Sequence, residues 1–256
     1  MSKILFFDVD GTLYNSEKKL PASAKEALLE ARHRGYELAI ATGRAPFMIE
    51  PLLEELAIDT YVTFNGQYVV YKGEVVYTSG IEKEELTKII AFGEARNEPV
   101  VFLDDKRMIA SIGDHNMVAE SLNTLKYPYP VLDSSYYMHN AVYQTLIFME
   151  EKDEPLYCDA FPNVQFVRWH RYSCDILPKG GSKALGIEKV LERMGVTFQE
   201  ATAFGDGIND IEMLQAVGTS VAMGNGHERV KEVAHHIADH VDQDGLAKIM
   251  RKLAII

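Results

Sequence analysis

Two aspartates one residue apart, Asp8 and Asp10, stand in the segment Asp8-Val9-Asp10-Gly11-Thr12, directly after the apolar run Ile4-Leu5-Phe6-Phe7. The run reads as a buried strand. Alternate residues of an extended strand share a face, so the two carboxylates start out pointing the same way. Gly11 frees the backbone to curl around whatever lies there. Two unpaired negative charges this close repel, which makes the arrangement costly without a cation. A hard divalent ion such as Mg²⁺ relieves the repulsion because it takes oxygen ligands. Asp, Gly and Thr are also good turn residues, so a capped turn is the plain alternative for this segment taken alone.

The elements that must position these carboxylates follow along the chain. Ser23-Ala24-Lys25-Glu26 reads as a capping box opening a helix whose apolar face is Ala24, Ala27, Leu28 and Ala31. Tyr36 to Ala41 is a second apolar strand, ending at Thr42-Gly43-Arg44. A helix over 46–56 and a strand over 61–64 come next, and Asn65-Gly66 ends that strand. Strand–helix alternation of this kind argues for a parallel sheet with helices on its faces. Residues 67–71 and 74–78 flank Lys72-Gly73 as a hairpin. The alternation resumes at Lys179 with a helix over 182–194 and a strand over 201–204, followed by Gly205-Asp206-Gly207-Ile208-Asn209-Asp210. A helix over 211–216, a strand over 220–223 and helices over 228–234 and 245–253 complete the chain.

Between these halves the texture changes. Residues 82–96 form a charged amphipathic helix, with strands expected over 100–103 and 143–149 and a helix near 115–122. Seven of the 13 tyrosines fall between Tyr127 and Tyr172, and as good strand residues they suit a core. Residues 81–178 are therefore read as an inserted second domain, and residues 1–80 with 179–256 as the main one. The fold class is α/β: a Rossmann-like doubly wound parallel sheet with a smaller α/β cap inserted.

Bulk properties narrow the function. A chain of 256 residues that is 47% hydrophobic and 25% charged has an ordinary globular composition. A net charge of −12 argues against a nucleic-acid binder held by phosphate contacts. It leaves room for a small anionic substrate, since a local metal and one lysine outweigh the global field. The two cysteines, Cys158 and Cys174, have no metal or redox spacing and suit a reducing cytosol. Lys3 followed by four apolar residues is too short for a signal peptide, and no apolar run approaches membrane length. The expected location is cytoplasmic, away from membranes. Nothing in the sequence sets an oligomeric state.

Four polar clusters each follow a predicted strand: Asp8-Asp10, Thr42-Gly43-Arg44, Asn65-Gly66 and Asp206-Asn209-Asp210. Ligands bind beyond the carboxyl ends of the strands in an open parallel sheet, so neighbouring strands would bring the clusters to one rim. Carboxylates, a hydroxyl, backbone N–H groups and Lys183 suit Mg²⁺ plus a phosphoryl group. In order, Asp8-Val9-Asp10-Gly11-Thr12-Leu13, Thr42-Gly43-Arg44, Lys183 and Gly205-Asp206-Gly207-Ile208-Asn209-Asp210 resemble the four motifs of the haloacid dehalogenase superfamily. Only about 30 residues separate Asp10 from Thr42, too few for a cap beside a helix and a strand. The insertion after Thr42 is similar to the Cof-like branch with a type IIB cap. Asn65-Gly66 and Val221-Ala222-Met223-Gly224-Asn225-Gly226 fit that branch, while Gln67 and Ala184 replace residues more common there.

The resemblance implies a Mg²⁺-dependent phosphatase of small phosphorylated metabolites. Asp8 is the implied nucleophile and Asp10 the general acid and base. Asp8 and Asp206 give side-chain oxygens to the metal and Asp10 its backbone carbonyl. Val9, Thr42, Gly43, Lys183 and Asn209 hold the phosphoryl group, and Asp210 orients the loop or a metal-bound water. Arg44, Asn65 and Gly66 at the strand ends, with His139, Arg168 and His170 in the insertion, are candidate readers of the leaving group. For the insertion residues a solvated loop or strand edge is the plainer reading. Two other readings stay open: a phosphomutase of the same superfamily, and a non-enzymatic phospho-aspartate switch. His235, His236 and His240 lack a further ligand at helical spacing and are read as solvated or packed, and Asp242-Gln243-Asp244-Gly245 as a turn and N-cap.

Overall fold

The fold was obtained as a computed structural model that describes residues 4–256; Lys3, weighed above as the head of a leader, lies outside them. The chain begins β1 (Ile4–Phe7), α1 (Ala22–His33), β2 (Glu37–Ala41), α2 (Pro46–Leu56), β3 (Tyr61–Thr63), a 3₁₀ turn over Phe64–Gly66, β4 (Tyr68–Tyr71) and β5 (Glu74–Thr78). The inserted part runs α3 (Lys83–Glu94), β6 (Val100–Leu103), β7 (Met108–Ala110), α4 (Asn116–Thr124), β8 (Val131–Leu132), α5 (Tyr136–His139), β9 (Gln144–Phe148), α6 (Glu154–Ala160), β10 (Val164–His170) and β11 (Ser173–Pro178). The first part then resumes with α7 (Lys183–Met194), β12 (Ala201–Gly205), α8 (Ile211–Ala216), β13 (Thr219–Ala222), α9 (Glu228–Val233), β14 (His236–Ile237) and α10 (Gly245–Lys252).

Two compact units result. One takes in the described residues up to Arg44, with Met48–Tyr77 and Ser182–Ile256; the other takes in Ala45–Phe47 and Thr78–Gly181. The joins fall at Tyr77–Thr78 and Gly181–Ser182, against Gly80–Ile81 and Pro178–Lys179 in the sequence reading.

The first unit is a doubly wound sheet of order β14-β13-β12-β1-β2-β3-β4-β5. β1 pairs in parallel with β12 on one side and β2 on the other, and β4 returns antiparallel on β3. β1 shows why helices cover both faces. Its side chains alternate, so Leu5 and Phe7 pack with α1, α2 and α10, while Ile4 and Phe6 pack with α7, α8 and α9. Phe7 and Phe204 stack across neighbouring strands with ring centroids 4.8 Å apart. Each fully buried side chain of this size contributes about 1.5–3 kcal/mol.

The second unit is a six-stranded sheet of order β10-β11-β9-β6-β7-β8, antiparallel except where β8 joins β7. α3 and α6 cover one face through Leu86, Ile89, Ile90 and Tyr157. β10 and β11 have no clean period-two apolar pattern, and a register shift between Arg168 and His170 breaks the alternation further.

One local expectation is corrected. α1 begins at Ala22 behind Pro21 and has no side-chain cap; Ser23 instead donates to Asp244 Oδ1 at 2.5 Å. The fixed φ of Pro21 starts the helix without needing a cap.

Candidate active site

β12, β1, β2 and β3 lie side by side in that order. The four polar clusters therefore leave one edge of the sheet, and all of their residues belong to the first unit.

Asp8 still pairs with the sheet, donating its N–H to Phe204 O. The chain then turns sharply: Leu13 and Tyr14 both donate to Val9 O, and Gly11 takes φ +79°. This corrects the expectation that Asp8 and Asp10 share a strand face. The strand ends at Phe7, and the two carboxylates beyond it take different partners. Asp8 accepts from Lys183 Nζ at 2.6 Å. Asp10 is gripped by a two-pronged Arg44 guanidinium at 2.6 and 2.7 Å, with Lys18 Nζ at 2.7 Å. Burial pushes the Asp10 carboxyl up, but Arg44 and Lys18 win and hold it below the usual range.

Lys183 opens α7 behind the Ser182 N-cap and is fully buried. Its ammonium bridges Asp8 and Asp210, the latter at 2.5 Å. Burial alone would lower its pKa, but the attraction of the two aspartates wins and raises it. Asp210 uses its other oxygen to accept from the N–H groups of Asp206 and Gly207 at 2.8 Å each, which folds the loop after β12. Asp206 accepts from Thr12 Oγ1 at 3.1 Å and Asn225 Nδ2 at 3.3 Å.

The metal expectation can be tested against this arrangement. Carboxylate oxygens of Asp8, Asp206 and Asp210 come within 4.8 Å of one another. With all three ionised, as they would be around a cation, three carboxylates against one ammonium leave two negative charges, the complement of a divalent cation. The crowding shows in the titration. Asp8 is pushed up to about 8, by burial first and by Asp210 and Asp206 against the pull of Lys183. Asp206 is pushed up to about 6 by burial and Asp210. An all-oxygen, net-anionic donor set fits Mg²⁺.

On the opposite side of Asp8, Thr42 is buried and its Oγ1 accepts from Arg44 N at 3.2 Å. Gly43 lies against the Asn65 amide, where an added Cβ would come 3.0 Å from Asn65 Nδ2. Asn65 Oδ1 accepts from Asn209 Nδ2 at 2.9 Å. A Cβ on Gly66 would sit 2.0 Å from Ser182 O, so Gly66 packs against the start of α7. Val9 is fully buried within the turn.

Two of the candidate readers of the insertion, Arg168 and His170, have partners within their own unit. Arg168 pairs with Glu154 at 2.6 Å and donates to the carbonyls of His170 and Arg171. His170 Nδ1 lies 2.8 Å from Ser121 Oγ. His139 is exposed at the end of α5. Three contributors to the site went unassigned in the sequence: Thr12, Lys18 and Asn225. Asn225 also donates to Gly11 O at 2.8 Å. Its position after β13, between Gly224 and Gly226, repeats the strand-end logic of the other clusters and was the available signal.

The description haloacid dehalogenase-like hydrolase matches residues 5–250. The chain belongs to this family. A Bacillus subtilis (strain 168) protein named "Putative phosphatase YkrA" is 40% identical over 255 residues, covering 100% of this chain and 99% of its own. The crystal structure of a hypothetical protein from Geobacillus kaustophilus HTA426 matches with a TM-score of 0.97 at 45% identity, over 100% of both chains. The HAD subclass IIB sugar phosphatase BT4131 matches with a TM-score of 0.87 at 34% identity, again over 100% of both. These relatives place the chain among the phosphatases of the family. Among the described residues, no helix is long and apolar enough to cross a membrane.

Proposed function

We propose that the protein is a Mg²⁺-dependent phosphatase of small phosphorylated metabolites, sugar phosphates and related monoesters, working through an aspartyl-phosphate on Asp8. The observation that carries this reading is the buried Asp8–Lys183–Asp210 bridge beside Asp206, at the strand ends of the sheet. Asp8 and Asp206 would hold the metal through their side chains and Asp10 through its backbone carbonyl. When bound, the metal supplies charge neutralisation that lets an anionic nucleophile approach a phosphate dianion.

Asp8 Oδ attacks phosphorus as the ester P–O bond breaks, and the leaving oxygen takes a proton from the Asp10 carboxyl. Water, deprotonated by the Asp10 carboxylate, then attacks the aspartyl-phosphate, releasing phosphate and restoring Asp8. Lys183 fixes the Asp8 carboxylate and offsets charge on the phosphoryl oxygens. Thr42 Oγ1, the Val9 and Gly43 backbones and Asn209 would hold those oxygens, with Asp210 orienting the loop. The substrate-free protein clamps Asp10 as the anion, its base form; the acid form requires the Arg44 fork to release it. The inserted unit is assigned the reading of the leaving group, on the strength of its place in the chain and the likeness to a subclass IIB sugar phosphatase.

The test is phosphate release from a panel of sugar phosphates, nucleotides and cofactor phosphates, with Mg²⁺ and with EDTA. Metal-dependent release that ranks the panel is expected. No release from any compound would remove the phosphatase reading and favour a mutase or a switch.

A further inference from the structure

The turn after β3 is built in an unusual way. Phe64 and Asn65 take φ of +51° and +52°, and Gly66 follows at +98°. Left-handed backbone is strained at a residue with a side chain, least for Asn. Fully buried Phe64 is held there by its place in the interior. The turn touches three separate segments of the site. Phe64 N donates to Arg44 O at 3.0 Å and Asn65 N to Thr42 O at 3.1 Å. Gly66 abuts Ser182, the residue before Lys183. The Asn65 side chain rests on Gly43 and accepts from Asn209. Asn209 is exposed at the tip of its loop, and the hydrogen bond its amide donates to Asn65 ties that tip to the β2 loop.

We infer that Asn65 is a positioning residue: its amide fixes Asn209 against the Thr42–Gly43 segment, so that the phosphoryl-holding loops after β2 and β12 keep one spacing before substrate arrives. This rests on the proposed roles of Thr42, Gly43 and Asn209, and it replaces the expectation that Asn65 reads the leaving group. A reader contacts the part of the substrate that varies. Asn65 instead engages groups assigned to the part common to every phosphate ester. The left-handed backbone explains the residue type, since Asn combines tolerance of that conformation with an amide acceptor.

Asn65→Gly removes the amide and keeps the left-handed backbone free of strain. It is expected to lower kcat/KM by about tenfold to a hundredfold, as small misplacements of holding groups do. The factor should be the same for every ester in the panel, with the melting temperature unchanged. Asn65→Asp, which also tolerates the turn and keeps an acceptor for Asn209, should recover part of kcat. Independently of turnover, calorimetric binding of inorganic phosphate with Mg²⁺ should weaken in Asn65→Gly. That loss should not multiply with the loss in Asn209→Ala, because the two share one interaction. A loss under fivefold, a loss that differs between esters, or multiplying losses on phosphate binding would overturn the assignment. The phosphate-binding cycle decides it even if the wild type turns over none of the panel, an outcome that would instead remove the phosphatase reading.

Discussion

Replacing Lys183 by Met and Asp8 by Asn should move stability in opposite directions. Lys183 is the one cation in contact with Asp8 and Asp210 among the described residues, at 2.6 and 2.5 Å with its own side chain fully buried. In the metal-free protein at pH 7, Asp8, pushed up to about 8, carries a proton, and Lys183 balances Asp210. The Lys183→Met substitution would leave Asp210 buried without its cation, and breaking a buried pair in this way costs about 3–5 kcal/mol. Lys183→Met should therefore lose about 4 kcal/mol at pH 7. Asp8→Asn removes a carboxyl that must take up a proton when the metal-free protein folds at pH 7, and should stabilise that protein while abolishing turnover. The assay is urea denaturation in EDTA followed by far-ultraviolet circular dichroism. The single tryptophan, Trp169, lies in the inserted unit and separately reports on that unit. A Lys183→Met variant within about 1 kcal/mol of wild type at pH 7, or an Asp8→Asn variant less stable than wild type, would refute the electrostatic reasoning.

Three further outcomes are expected. Asn225→Ala removes the donor to Asp206 and Gly11 O; the Mg²⁺ concentration for half-maximal rate should rise about tenfold to a hundredfold, and an unchanged metal requirement would refute the role. Gly11→Ala places a Cβ 2.2 Å from Asp206 Oδ2 at φ +79°, so both stability and metal binding should fall; wild-type-like Mg²⁺ titration would contradict this. Burial raises the Glu98 carboxyl above its ordinary 4.5 even though it accepts from Tyr157 Oη at 2.6 Å. The folded state therefore holds that proton to higher pH than the unfolded state, and stability declines as pH rises from about 4.5 through the raised value. Glu98→Gln should raise the Trp169-monitored melting temperature at pH 7.5 and lose that advantage near pH 4, and a variant less stable at pH 7.5 would show the sign to be wrong.

The parallel sheet was legible because β1, β2 and β12 are short apolar runs that each end in a polar cluster, a pattern set by burial on both faces. The inserted unit was less so. β10 carries Arg168, Trp169 and His170 across a register shift, and no period-two pattern survives that. In the site, Asp8, Lys183 and Asp206 could be located from motif order, but the partner of Asp10 could not. Arg44 and Lys18 reach it only because the chain turns at Asp8 and folds back through Tyr14, which rests on long-range geometry. Asn65 illustrates the same limit. Its type fits a turn, while its tie to Asn209 spans 144 residues of sequence.

The most direct test of the central claim is to quench the enzyme in acid during turnover with Mg²⁺ and a good substrate, and to map its peptides by mass. The account predicts one phosphoryl group on the peptide carrying Asp8, absent from Asp8→Asn, which releases no phosphate. A phosphoryl group on another residue, or sustained phosphate release by Asp8→Asn, would contradict it.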